Sequence, residues 1–429
     1  MQYQCDAVGR ITQRIEEIDG VLRVFGYFYD EAGRLSAMTR NGNPEEAYSY
    51  DANGNRLTAD GVRGSFAGTY DDQDRLLTYG AASYTYTANG ELATKTTPVG
   101  ITRYTYDALG NLTRVALPDG RVITYRVDGR NRRVAKLVDG VRVRAWLYAD
   151  QLRPIAELDG TGNVVSRLVY ASRLNVPDYV IRDGALYKII SDHLGSPRIV
   201  LDADAETRTV VQRLDFDPFG IVTQDSAPGW QPFGFAGGLY DPDTRLVRFG
   251  ARDYDAETGR WMSKDPIGFL AGDPNLFSYV FADPVNSTDP LGLQVVIKTP
   301  PDIQAMQAVA DFARNYRKMR DANTIGADKY FHCMANCEAS ARGVGGEFAA
   351  RAVSEARELF DQYVKGDPIE ACNIGNTRDD IMGCFAVGQE RAVDSVSNSR
   401  DAMNDILNII TKDASGVISV RLFPLCQDS

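Results

Sequence analysis

Over the first two thirds of the chain apolar and polar residues alternate with a period of two, and past residue 293 the period lengthens to about 3.6. The alternation is itself repeated. Tyr27-Phe28-Tyr29-Asp30 is followed by Gly33-Arg34-Leu35, and the same frame recurs at Tyr48–Asp51 with Gly54 and at Tyr104–Asp107 with Gly110. Looser copies stand at Tyr3–Asp6, Tyr70–Asp71, Tyr84–Thr87 and Tyr125–Asp128. The aspartate-equivalent positions are thus 6, 30, 51, 71, 87, 107 and 128, separated by 24, 21, 20, 16, 20 and 21 residues. Such a unit predicts strand, tight turn, strand. Tyrosines two apart share a face and can pack on the next unit, while glycine supplies the positive φ of the turn. Stacked units predict one long, continuously wound antiparallel sheet. From about Leu147 the repeat weakens.

The change of period marks a domain boundary. Pro300-Pro301-Asp302 starts a helix with Ile303, Met306, Val309, Ala313 and Tyr316 on one face. Gly343–Gly346 interrupts the pattern, and residues 347–364 and 389–411 carry two more apolar stripes. The expected architecture is mostly β, a wound sheet of hairpin repeats, followed by a small, mainly α-helical C-terminal domain at 294–429.

Charge narrows the function. The net charge of −11 and a pI near 4.9 argue against nucleic acid as a partner. Residues 294–429 alone carry 15 basic and 19 acidic side chains, so the tail lacks a basic footprint too. No apolar run has the length of a membrane span, and MQYQCDAVGR lacks the features of a secretory signal, so export would need a dedicated machine. Five of the six cysteines (Cys333, Cys337, Cys372, Cys384, Cys426) lie in the last 97 residues. The tail therefore has its own chemistry or its own staples.

Residues 245–293, RLVRFGARDYDAETGRWMSKDPIGFLAGDPNLFSYVFADPVNSTDPLGL, alternate aromatic residues with Asp-Pro and Pro-Val-Asn turn formers. Over these 49 positions the chain resembles the core segment of RHS (rearrangement hotspot) repeat proteins. The Tyr-Asp repeats likewise resemble those of RHS proteins, teneurins and insecticidal Tc toxin C components. The resemblance implies a repeat shell at 1–244, a core at 245–293 and a variable toxin-type domain at 294–429. Asp192-His193-Leu194-Gly195 and Phe216-Asp217-Pro218-Phe219-Gly220 look like two further landmarks of the family, with His193 in a structural role.

Two Asp-Pro-x-Gly motifs, Asp265-Pro266-Ile267-Gly268 and Asp289-Pro290-Leu291-Gly292, have 20 residues between them. Proline and glycine can hold each carboxylate at a rigid corner, and two carboxylates sharing a proton can hydrolyse a peptide bond. The resemblance implies such autoproteolysis, with Asp265 and Asp289 as the dyad and Leu293–Gln294 as the scissile bond. Asp283 is the alternative partner. The other Asp-Pro pairs, at Asp241, Asp273 and Asp283, read as turns.

In the tail, Lys329-Tyr330-Phe331-His332-Cys333-Met334-Ala335-Asn336-Cys337-Glu338 concentrates the reactive side chains. Three readings compete: disulfides to Cys372, Cys384 or Cys426; a zinc held by Cys333 and Cys337; and a cysteine nucleophile, Cys333, served by His332 with Glu338 orienting the imidazole. No cofactor is implied. The resemblance further implies delivery by a contact-dependent, type VI-like machine with a spike protein or adaptor, and a cognate immunity protein. The alternatives are a non-enzymatic cell-surface or adhesion protein, and an orphan module whose helical tail is membrane-active. About 28 strands would give roughly 130 Å of sheet, short of the roughly 175 Å needed to encircle a tail of this size. A fragment of a longer shell is therefore expected.

Overall fold

The computed structural model describes residues 1–293 apart from 19, 174 and 204–208, together with the backbone of Val296–Ile297. The chain divides into two compact units, Met1–Lys298 and Thr299–Ser429, and the described residues lie in the first. The helices expected after residue 299, and His332, Cys333, Cys337 and Glu338 with them, lie outside the described residues.

Among the described residues, 22 strands from Gln2–Cys5 to Val222–Asp225 form one sheet in which each strand pairs antiparallel with the next. The turns explain why this sequence folds so. Asp30 Oδ1 accepts the N–H groups of Ala32 (3.0 Å) and Arg34 (2.9 Å), and Oδ2 accepts Arg34 Nε (2.7 Å). The Asp30 N–H donates to the Arg34 carbonyl, and the Gly33 N–H returns to the Asp30 carbonyl, each at 2.9 Å. Gly33 takes φ +83°, which a side chain resists. The same corner closes at Asp6, Asp51, Asp71, Asp107 and Asp128, with Arg or Asn at the fourth following position. It is a local structure, made by one carboxylate and the four residues after it.

Tyrosines tie each unit to the one before. Tyr27, Tyr48, Tyr84 and Tyr125 are buried in the main core beside Leu35, Leu112, Val115 and Ile123. The tyrosine directly before the turn donates to a carbonyl of the preceding unit: Tyr29 to Ile11 (2.6 Å), Tyr50 to Leu35 (2.8 Å), Tyr148 to Arg133 (2.9 Å). Arg10, Arg34 and Arg132 stack over Tyr29, Tyr50 and Tyr148. The repeat does not end near Leu147. Asp159, Asp192 and Asp217 form the same corner, while Leu168, Ile189, Val200 and Leu214 fill the core positions. Aliphatic residues replace the tyrosines there, so the signature fades while the alternation persists.

The sheet winds back on itself. Arg198 meets Glu16 at 3.2 Å, Arg63 meets Asp217 at 3.2 Å, and the rings of Tyr48 and Phe219 lie 4.9 Å apart. His193 is half-buried at this seam, with Nδ1 3.1 Å from the Tyr3 hydroxyl and Nε2 2.6 Å from the Val285 carbonyl. Burial pushes its pKa down, and its contacts are those of a packed side chain.

Residues 239–261 form a separate four-stranded sheet, Leu239–Asp241, Leu246–Phe249, Arg252–Asp255 and Arg260–Trp261. Phe235, Phe249, Tyr254, Trp261 and Tyr279 form its ring cluster, with Tyr254 and Tyr279 centroids 4.4 Å apart. Buried polar contacts seat this segment on the inner face of the wound sheet. Arg133 bonds Asp253 (2.8 Å), Arg260 bonds Asn55 (2.7 Å), Tyr125 bonds Asp241 (2.6 Å), and Asn286 accepts the Ile11 N–H (2.8 Å). Asp241, one of the Asp-Pro pairs read as a turn, is thus also an inter-sheet anchor.

Candidate active site

Asp265 and Asp289 each open a corner of the repeat type. Asp265 Oδ1 accepts the Ile267 N–H at 3.0 Å, and Asp289 Oδ1 accepts the Leu293 N–H at 3.0 Å. One feature sets them apart from the repeats. In the corners at Asp6, Asp30, Asp51, Asp71, Asp107 and Asp128 Oδ2 is held by the fourth residue's arginine or asparagine, and at Asp217 by the distant Arg63, whereas here the two Oδ2 atoms share one distant guanidinium. Arg252 Nη2 lies 2.7 Å from Asp265 Oδ2 and 3.1 Å from Asp289 Oδ2. Leu293, at the fourth position after Asp289, has no polar head to compete. The fold therefore brings the two motifs together, around a shared guanidinium.

Arg252 is itself built in firmly. Its Cζ lies 4.1 Å from the Trp261 ring centre, and its Nε donates to the Gly292 carbonyl at 2.7 Å. The neighbouring Ala251 N–H donates to the Leu291 carbonyl at 2.8 Å. Burial pulls the guanidinium pKa down while both carboxylates push it back up, and arginine stays a cation throughout. Burial, set against the pull of Arg252 and the Ile267 N–H, leaves the Asp265 carboxyl above its ordinary pKa.

The cavity between these groups, about 20 Å³, has room for one water. Its walls include Arg252, Trp261, Asp265, Asp273, Asp289 and Leu293. Asp273 is a third carboxylate that its Asp-Pro pairing had suggested was only a turn. Its Oδ1 does accept the Asn275 N–H at 2.8 Å, and burial pushes its pKa up. Asp283 is elsewhere. It holds Asn286 Nδ2 at 2.8 and 3.0 Å, and that amide also reaches Tyr29. Burial pushes the Asp283 pKa up to about 6.

Arg252 and Asp273 are the residues that pattern reading missed. For Arg252 the available signal is its strand position, two before the fully buried Tyr254, which puts both side chains on the inner face.

Residues 1–282 match the family model described as Teneurin YD-shell. The chain belongs to the teneurin YD-shell family. This YD shell is 31% identical over 271 residues to Teneurin-3 of Danio rerio, covering 61% of the chain and 10% of the relative. It is 28% identical over 319 residues to Teneurin-1 of Homo sapiens, covering 71% of the chain and 11% of the relative. The chain thus spans about a tenth of these teneurins. The putative uncharacterized protein YlbH of Escherichia coli K12 is 30% identical over 169 residues, 38% of the chain and 70% of that protein. Among solved structures, TcdB2-TccC3 without its hypervariable C-terminal region aligns with a TM-score of 0.46 at 17% identity, covering 68% of this chain and 17% of that one. Residues 301–382, which include His332, Cys333, Cys337 and Glu338, match a second model, Serum amyloid A protein. No helix among the described residues is long and apolar enough to cross a membrane.

Proposed function

We propose that this YD shell carries residues 294–429 as an effector and frees them by hydrolysing its own Leu293–Gln294 bond. The observation that carries the reading is that Leu293 bonds Asp289 while lining one water-sized cavity with Asp289 and Asp265. In this scheme Asp289, anchored by Arg252, takes a proton from the water. The oxygen adds to the Leu293 carbonyl carbon. Asp265, whose raised pKa favours the protonated form, polarises the carbonyl oxygen through a hydrogen bond and then gives its one proton to the Gln294 nitrogen as the C–N bond breaks; the proton taken up by Asp289 restores the one the pair shares. Hydroxyl ends on Leu293 and hydrogen on Gln294.

The freed tail would act on a neighbouring cell after contact-dependent, type VI-like delivery involving a spike protein or adaptor, and a cognate immunity protein would protect the producer. Intact mass of the expressed chain tests the cut. A fragment beginning at Gln294, absent in Asp289→Asn, supports the reading. A tail that stays attached and harmless favours the non-enzymatic surface or adhesion reading.

A further inference from the structure

Described residues near the proposed cut, before and after it, are held through their own main-chain groups. On the near side the Leu291 carbonyl accepts the Ala251 N–H, and the Gly292 carbonyl accepts Arg252 Nε. On the far side Val296–Ile297 forms a short antiparallel strand on Ser287–Thr288, with Thr288 opposite Val296 and Ser287 opposite Ile297. Asp289 follows Thr288 directly. The strand that receives the product side therefore runs straight into the carboxylate that would activate water, and the scissile bond falls in the connection, residues 289–295.

We infer that Val296–Ile297 is a product-side clamp, a strand added to Ser287–Thr288 whose register sets the Leu293–Gln294 carbonyl over the Asp265/Asp289 cavity. The inference rests on the proposed self-cleavage and names what positions its substrate. A loop tied at one end only would swing away from the cavity, whereas pairing on both sides fixes the reacting carbonyl before any chemistry begins. Recognition of this kind runs through main-chain groups and tolerates varied side chains, as strand addition does generally. That would let one shell process many different tails. It also separates cutting from release. Once the bond breaks, this two-residue ladder is the product-side contact among the described residues, while Leu291 and Gly292 remain fastened to Ala251 and Arg252.

The test uses the full chain, synthesised in a cell-free system and quenched at intervals for intact mass. Replacing both clamp residues by proline, Val296→Pro with Ile297→Pro, removes the N–H groups and slows the cut about 100-fold. Replacing both by alanine keeps the backbone groups and leaves the rate within a few-fold of the wild type. Each proline is also introduced singly. Only alternate residues of an antiparallel ladder aim their N–H at the partner, so one single variant slows the cut and the other does not. General loss of fold would not produce that asymmetry. The clamp is overturned if the double-proline chain cuts at the wild-type rate, if the alanine pair is as slow as the proline pair, or if both single prolines act alike. A wild-type chain that never cuts overturns the proposed function together with the clamp. A wild-type chain that cuts beside an unaffected proline variant overturns the clamp alone.

Discussion

Arg198 Nη2 lies 3.2 Å from Glu16 Oε2, joining residues 182 positions apart in the chain. Both side chains are almost wholly buried, at 3% and 1% exposure, and Arg198 also meets Asp215 at 2.6 Å. Arg14 and Arg23 stand farther from Glu16, at 3.8 and 3.9 Å. Removing one partner of a buried ion pair leaves a charge with little compensation, which costs about 3 kcal/mol. Arg198→Ala is expected to lower the unfolding free energy measured by urea titration by that amount, and Arg198→Met with Glu16→Leu to recover most of it. A single variant as stable as the wild type would show that this contact does not hold the winding together.

The roles assigned at the cavity predict a direction in pH. If Asp265 works in its protonated form, the cutting rate falls as pH rises through its elevated pKa. Asp265→Asn should slow the cut by about 100-fold or more, the contribution of a positioned general acid. Arg252→Gln removes the cation shared by both carboxylates and should slow the cut and alter the pH profile. A pH-independent rate would argue against the acid role.

Glu46 is buried near Asp217, and burial first and that carboxylate second push its pKa up to about 7, against the pull of Arg63 and Arg56. Between its ordinary 4.5 and about 7, the unfolded chain releases this proton while the folded chain keeps it, so stability falls as pH rises through that window. Asp283 acts with the same sign. Corner aspartates such as Asp71 and Asp128 act oppositely: hydrogen bonds from Arg75 and Arg132 outweigh burial and hold them below 3.8. Their contribution is therefore present above that value and lost in stronger acid. Urea unfolding near pH 5 and near pH 8 should show the decline. Glu46→Gln should flatten it and gain roughly 1 kcal/mol at the higher pH, allowing for solvent screening.

Gly292 has φ +67°, and a Cβ there would lie 2.5 Å from the Phe249 carbonyl oxygen and 2.9 Å from the Arg252 nitrogen. Both neighbours are backbone and cannot turn aside. Gly292→Ala therefore costs at least about 1–2 kcal/mol for the left-handed conformation alone and displaces the adjoining Leu293. The expected product is uncut full-length chain. Cleavage at the wild-type rate would mean that this turn does not position the bond.

The repeat corners could be read along the chain because everything that makes them is local. An aspartate, a glycine, asparagine or second aspartate three places on and a polar side chain at the fourth form a turn whatever lies beyond. Alternation then assigns one face to the core, and the mostly antiparallel, wound sheet follows. The same locality explains what was partly hidden: past Leu147 the corners survive, but Leu168, Ile189 and Leu214 stand where tyrosines had marked the unit.

Long-range placement obeys no such spacing rule. Two Asp-Pro-x-Gly motifs could be named from their residues, but Arg252 between them could not, nor could the presence of Asp273 on the same wall and the departure of Asp283 to Asn286. Nor does any pattern near Glu16 announce Arg198. These pairings depend on how far the sheet winds before its ends meet and on how the segment after residue 238 seats inside it. That is a sum of small twists over 22 strands, which the tertiary structure decides.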